Sequence, residues 1–300
     1  MKRRIGIAGA GAWGTALAHV VKLAGHDVSV WSRGSAALPR CDAVILAVPA
    51  QAARAVLLAI KPSLRSGQPL IVAAKGIEQA TGMMMNDVVA DVAPGARAMA
   101  LSGPSFAADV MRGLPTAVVL AADSIAEAAE WAEALSISSF RVYSSDDARG
   151  VEIGGALKNV LAIACGISDG RGLGDSARAA LTTRSFAEFA RFGRKLGAKA
   201  ETLTGLSGLG DLLLTCSSRQ SRNYAFGRAV GEGQSVAQAL AQSRGVVEGA
   251  LTVKIAFALA RQHGVETPII DAVHAVVDEH ASPENEIARL LARPVGREIS

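Results

Sequence analysis

Three hundred residues, half of them apolar, can bury a large core and suit two domains better than one. Mean hydropathy is +0.29, yet no uninterrupted apolar run approaches the roughly 18 residues of a membrane span, so a soluble chain without a membrane span is expected. The net charge of +4 is a mild excess with no basic run beyond Lys2-Arg3-Arg4, and only 4% of residues are aromatic; this argues against nucleic acid, which needs a basic stripe and aromatic platforms, and favours an anionic small molecule as partner.

The chain opens with Met1-Lys2-Arg3-Arg4 before an Ala-rich stretch, the outline of a secretory signal. Three glycines dilute that apolar segment, and a strand, a loop and a helix account for the same residues in better detail. The strand is Ile5 to Ala8, the loop carries Gly9, Gly11 and Gly14, and the helix runs from Thr15 to Ala24, closed by Gly25. In Gly-x-Gly-x-x-Gly at this position the first glycine makes the tight turn, the second lets a pyrophosphate approach the backbone, and the third lets helix and strand pack closely. The phosphates then sit at a helix N-terminus, where free N–H groups and the helix dipole favour negative charge. Dinucleotide binding is the expectation.

Further strand-like runs follow at Val28 to Trp31, Ala43 to Val48, Leu70 to Ala73, Ala98 to Leu101, Thr116 to Leu120 and Phe140 to Tyr143, separated by helical patterns such as Ala50 to Ala59, Met83 to Val89 and Ile125 to Leu135. Continuous apolar strands alternating with helices predict a parallel sheet covered on both faces, a Rossmann-type α/β domain. One connection is short. Only the nine residues Gly34 to Asp42 join the second strand to the third, where a helical crossover needs a dozen or more. Extended, they reach about 30 Å, against roughly 17 Å along a five-residue strand and ~10 Å across two strand spacings. The domain therefore closes, shortened after its second strand, with part of one sheet face and the far edge expected to be less covered.

From Asp146 onward the strand signal disappears and helical patterns follow at Ala148 to Ile167, Ser176 to Leu196, Arg222 to Val230, Val247 to His263, Ile269 to Glu279 and Pro283 to Leu291. The expected boundary divides the chain into residues 1–145, a dinucleotide-binding domain, and 146–300, an all-α substrate and catalytic domain. Cys41, Cys165 and Cys216 share no metal-type spacing, and their odd number argues against a disulfide framework, so no metal and a reducing cytoplasm are expected.

Two stretches of the helical half carry chemistry. Val151 to Cys165 is apolar nearly all round, which marks a buried helix, and Lys158 lies inside it. Its side chain leans toward Gly154 and Gly155 at i−4 and i−3, which predicts a groove holding an ammonium suited to general acid/base work. Farther on, Asp211 and Thr215 are four residues apart and share one face of a helical turn. Arg219, Ser221, Arg222 and Asn223 follow at the mouth of the next helix, a natural anion site.

These motifs together resemble the NAD(P)-dependent glycerol-3-phosphate dehydrogenases of the bacterial type. The resemblance is carried by Gly9-Ala-Gly-Ala-Trp-Gly-Thr-Ala-Leu-Ala18, Ala74-Lys-Gly-Ile-Glu78, Leu101-Ser-Gly-Pro-Ser-Phe-Ala107, Ala156-Leu-Lys-Asn-Val160, Asp169-Gly-Arg-Gly-Leu-Gly-Asp175, Gly208-Leu-Gly-Asp-Leu212 with Thr215-Cys216, Ser221-Arg-Asn223 and Val247-Glu-Gly249. It implies reversible reduction of dihydroxyacetone phosphate to sn-glycerol 3-phosphate, supplying phospholipid synthesis, with NADPH or NADH as cofactor. It implies further that Lys158 moves the proton beside Asp211, and that Lys75, Gly103, Ser105, Asp211, Thr215, Ser221, Arg222 and Asn223 meet the substrate. By the same resemblance Gly9, Gly11, Ala12, Trp13, Gly14, Arg33, Lys75, Ala107, Arg222, Val246 and Glu248 meet the cofactor.

Three positions depart from the family pattern. The segment Gly34 to Asp42 replaces a helix and further sheet-edge structure, Ala12 stands where serine is frequent, and Ser185 stands where glycine is usual. Arg33, a cation where an NAD-selecting fold places an acid, favours NADPH. Two other readings are a related two-domain hydroxyacid dehydrogenase, which would not need Ser221-Arg222-Asn223 as a phosphate clamp, and a non-catalytic dinucleotide-binding sensor. A homodimer is compatible with the sequence and is not specified by it.

Overall fold

The computed structural model describes residues 1–35 and 37–295. Strands β1 (Arg4–Ala8), β2 (Asp27–Trp31), β3 (Ala43–Leu46), β4 (Pro69–Val72), β5 (Arg97–Ser102), β6 (Thr116–Ala121) and β7 (Phe140–Ser145) form one sheet in the order β2-β1-β3-β4-β5-β6-β7. Helices α1 (Ala12–Leu23), α2 (Ala53–Ile60), α3 (Met85–Val92), α4 (Ala107–Met111) and α5 (Ile125–Leu135) lie between them. After Ser145 the described elements are helical: α6 (Ala148–Gly170), α7 (Gly174–Lys195), α8 (Ala200–Thr204), α9 (Asp211–Ser217), α10 (Arg222–Gly231), α11 (Val236–Ala241), α12 (Glu248–Gln262), α13 (Pro268–Val277) and α14 (Pro283–Leu291).

The central strands β3 and β4 are buried at every residue, as continuous apolar runs must be when both sheet faces are covered. Alternate residues serve the two faces. Ile5 and Ile7 of β1 pack with Leu17, Val21 and Trp131, whereas Ala8, Val44 and Leu46 pack with Leu57, Val88 and Val89. One junction departs from the uniformly parallel sheet that the apolar runs imply: β5 and β6 pair antiparallel, Leu101 opposite Leu120. Between them the chain forms only the five-residue α4, too little for a covering crossover, so β6 starts from the end of the sheet where β5 stops.

The short connection behaves differently from expectation on one count. Leu38 and Cys41 are buried and lie on β1 at Gly6, where a Cβ would come within 3.1 Å of both side chains. Asp42 Oδ2 accepts from the Arg4 amide at 2.7 Å, and Arg65 and Gln68 both donate to the Cys41 carbonyl. The sheet face expected to be thinly covered is thus plugged. The edge remains open, with Val30 of β2 49% exposed. Ala36, within this connection, lies outside the described residues.

Helix α6 is the axis of the helical half, contacted by α7, α9, α10, α12 and α13 on its flanks and by β5 and β6 of the sheet. It is long and apolar enough on average to cross a membrane, but 89% of its most apolar stretch is buried inside the protein, the signature of a core helix. Short α4, α8 and α11 and a π-helical turn at Leu206–Gly210 were not legible as periodic patterns, since a single turn shows no period.

Candidate active site

The glycine loop is built as its spacing predicts. Gly9 has φ +126°, and a Cβ there would meet the Ala47 carbonyl at 2.3 Å; one on Gly14 would meet the Gly9 carbonyl at 1.9 Å. Around Gly11 nothing lies within 4 Å. Gly11 is also the N-cap of α1 and offers no side-chain cap, leaving the first-turn amides to an anionic ligand. Ala12 is exposed, and the buried Trp13 Nε1 has no partner among the described residues. Arg33, just beyond β2, is exposed and has no partner among the described residues. Ala107 opens α4, which packs on α1.

Sheet and helices meet at a second cluster. Lys158 Nζ, from the middle of α6, donates to Asp211 Oδ1 at 2.5 Å and to Thr215 Oγ1 at 3.1 Å. Lys75 Nζ, from the loop after β4, donates to Asp211 Oδ2 at 2.8 Å and to the Gly103 carbonyl at 3.1 Å. The one-face arrangement of Asp211 and Thr215 holds: both lie on α9, and the Thr215 hydroxyl donates to the Asp211 carbonyl at 2.6 Å. Burial, opposed by Asp211 and reinforced by the nearby Lys75 charge, pulls Lys158 down to about 8. Burial alone would raise Asp211, but the two ammonium groups hold its carboxyl below the ordinary carboxylate range.

Gly154 and Gly155 do not form an open groove beneath Lys158. A Cβ on Gly154 would meet the Ser207 carbonyl at 2.2 Å, and one on Gly155 would meet Ser102 Oγ at 2.9 Å and the Lys75 stem at 3.2 Å. The two glycines instead let the π turn and Lys75 close onto α6, which brings Asp211 and Lys75 to the ammonium. Gly103, at φ +149°, sits against Val118, and its carbonyl also accepts from Ser105 Oγ at 3.0 Å.

The predicted anion site resolves into two exposed cations, Arg219 and Arg222, and the residues that support them. Ser221 caps α10, its hydroxyl accepting from the Tyr224 amide. Asn223 points inward: Nδ2 donates to Asn159 Oδ1 at 2.8 Å, and Oδ1 accepts from the Gly249 amide at 2.8 Å. It ties α6, α10 and α12 together, a role unlike the phosphate contact expected of it. Arg222 is exposed and makes no hydrogen bond or ion pair among the described residues, although its charge acts on the Glu248 carboxyl, and its Nη1 lies 2.7 Å from where a Gly245 Cβ would be.

Glu248 opens α12 and spans the two halves. Its Oε1 accepts from the Ala50 amide at 3.3 Å, its buried Oε2 has no partner among the described residues, and burial pushes its carboxyl up to about 7. Val246 is 36% exposed beside it. Asn159 is the residue of this region that sequence reasoning missed; the signal was an amide next to Lys158 in an otherwise apolar helix.

A family model described as NAD-dependent glycerol-3-phosphate dehydrogenase C-terminus matches residues 147–288, and its N-terminus counterpart matches 4–38 and 32–128, two segments that meet at the short connection. A glycerol-3-phosphate dehydrogenase (NAD(P)+) of Azorhizobium caulinodans is 50% identical over 322 aligned positions, covering 97% of each chain. One from Parvibaculum lavamentivorans is 46% identical over 323, again with 97% of each covered. The crystal structure of glycerol-3-phosphate dehydrogenase from Coxiella burnetii superposes with a TM-score of 0.91 at 36% identity, over 97% of this chain and 99% of that one.

Proposed function

The chain belongs to the NAD-dependent glycerol-3-phosphate dehydrogenase family, and from that membership we propose that it reduces dihydroxyacetone phosphate reversibly to sn-glycerol 3-phosphate with NADPH or NADH. The observation that carries the reading is the Lys158–Asp211–Lys75 cluster, with Lys158 and Asp211 buried and Lys75 half-buried, at the seam between the sheet and α6. A buried lysine near neutrality, held by a carboxylate, is an apt proton donor to a ketone oxygen.

The residues divide the work. The α1 N-terminus and Gly9, Gly11 and Gly14 hold the cofactor pyrophosphate, Arg33 the 2′-phosphate, and Trp13, Ala107, Val246 and Glu248 the remainder. The orphan atoms Trp13 Nε1 and Glu248 Oε2 and the open space at Gly11 fit such a ligand. When bound, the cofactor supplies hydride to the carbonyl carbon. As the carbonyl oxygen gathers charge, Lys158 stabilises it and delivers the proton; Asp211 orients Lys158, and Lys75 with Thr215 fixes Asp211. Arg222 and the first amides of α10 hold the substrate phosphate and so fix the reacting carbon. Ser221 and Asn223 set the helix that presents them, and Gly103, whose carbonyl accepts from Lys75 and Ser105, holds Lys75 at the cluster.

In this reading residues 1–145 bind cofactor and 146–300 bind substrate and carry the catalytic lysine. The three cysteines, all free and buried, support action in a reducing cytoplasm. The test is NADPH oxidation followed with dihydroxyacetone phosphate, unphosphorylated dihydroxyacetone and a 2-keto acid. Turnover confined to the phosphorylated ketone is expected. Preference for the keto acid would favour a hydroxyacid dehydrogenase, and cofactor binding without turnover a sensor.

A further inference from the structure

In the function proposed above Arg222 holds the substrate phosphate, and no hydrogen bond or ion pair among the described residues fixes its guanidinium. An arginine carries much rotamer freedom, and a clamp that is free to swing loses part of its binding free energy in being ordered. What the guanidinium does touch is backbone. Gly245, in the connection between α11 and α12, has Arg222 alone around the position a Cβ would take: Nη1 lies 2.7 Å from it, Cδ 3.7 Å and Cζ 3.8 Å.

Glycine is needed at residue 245 for two separate reasons. Its φ is +145°, where L side chains are rarely found, and the space that a side chain would fill is already occupied. Elsewhere these reasons part. Gly25, Gly197, Gly233 and Gly264 share the positive φ but have nothing within 4 Å, so conformation alone accounts for them. Among the described glycines of positive φ, Gly245 is the one with a charged group within 3.0 Å of that position. The surface under the guanidinium is anchored on either side: Ser243 Oγ donates to the Gly245 carbonyl at 2.9 Å, and Val247 is buried. Glu248 follows directly, and the Arg222 charge acts on its carboxyl.

We propose that Gly245 is a positioning residue for the substrate phosphate, its bare Cα being the seat that keeps the Arg222 guanidinium in one place before the phosphate arrives. This rests on the phosphate role given to Arg222. The crowded atom is the tip of a flexible side chain, so a methyl at residue 245 displaces the guanidinium and leaves the surrounding packing intact. Apart from the backbone cost of the unusual φ, the loss falls on the phosphate contact.

The test is a double-mutant cycle on the intact chain, with Gly245→Ala, Arg222→Ala and the two combined. Gly245→Ala should lower kcat/KM for dihydroxyacetone phosphate by about tenfold, within the loss that misplacing a positioning group produces, and leave unphosphorylated dihydroxyacetone unaffected. In the Arg222→Ala background the same change should have no further effect. Equal losses on both ketones, an equal loss in both backgrounds, or an NADPH dissociation constant that rises as much as kcat/KM falls each overturn the proposal, because the connection itself would then be at fault. Ser243→Ala, which frees the Gly245 carbonyl without straining the backbone, decides if Gly245→Ala does not fold: a loss confined to the phosphorylated ketone and absent without Arg222 supports the seat, and unchanged kinetics overturn it. If Arg222→Ala itself shows no preference between the two ketones, the phosphate role of Arg222 fails; if it does and Gly245→Ala does not, this inference alone fails.

Discussion

Lys158 donates to Asp211 across 2.5 Å with 7% and 1% of the two residues exposed, so neither charge has water to fall back on. Removing one member of such a pair strands the other, at a cost of about 3–5 kcal/mol.

The two directions of the reaction should therefore show opposite pH trends. Reduction needs Lys158 protonated and should decline as pH rises through about 8; oxidation needs it neutral and should rise through the same point. Lys158→Met keeps the packing and removes the proton, and should lower turnover by about 10² to 10⁴ while NADPH titrates normally by fluorescence. A variant that keeps most of its turnover would move the proton-donor role to Lys75. The same shift affects stability. The folded Lys158 lies below its ordinary 10.5, so between about 8 and 10.5 the unfolded chain binds more protons, and stability attributable to this group should increase with pH across that window.

Asp211→Asn preserves shape and removes the charge that both ammonium groups share. Lys158 should then fall further below about 8, moving the descending limb of the reductive pH profile to lower pH, and the fold should lose about 3–5 kcal/mol in a denaturant titration. A limb that stays in place would show that Asp211 does not set the lysine.

Arg222→Ala should cut kcat/KM for dihydroxyacetone phosphate by more than about tenfold, since a lost charge-assisted fork costs roughly 2–5 kcal/mol when its partner is left unpaired. Activity on unphosphorylated dihydroxyacetone should hardly change. Parallel losses on both ketones would count against a phosphate contact.

Arg33→Ala should raise KM for NADPH far more than for NADH. Steady-state titration of each cofactor decides, and equal losses would remove Arg33 as the 2′-phosphate ligand.

Ser185 is fully buried on α7 and its hydroxyl has no partner among the described residues. An unsatisfied buried hydroxyl costs about 1–3 kcal/mol, so Ser185→Ala should raise the denaturation midpoint without altering kcat. A lower midpoint would mean that the hydroxyl has a partner after all.

The sheet's apolar strands, the glycine loop, Lys158 and the Asp211–Thr215 face were legible because each rests on short-range spacing. The features that escaped the sequence are long-range. Lys75 meets Asp211 from 136 positions away, and the Glu248 carboxylate reaches Ala50 across 198; no periodicity encodes such meetings. The purpose of Gly154 and Gly155 was misread for the same reason, because the missing side chains make room for Ser207 and Lys75, neither of which is a sequence neighbour. The antiparallel turn into β6 was hidden as well, since strand direction depends on where the previous connection ends.

Asp211 takes one ammonium from the loop after β4 and the other from α6, so neither half of the chain contains the site by itself. Secondary structure can form locally within each half, but this carboxylate acquires both counter-charges only when the halves close on one another. On refolding, catalytic competence should consequently be the last property to return, after helix content has recovered, because contacts of high sequence separation form late. Enzyme activity then serves as a clock for docking of the two halves, a step that helix content alone cannot time.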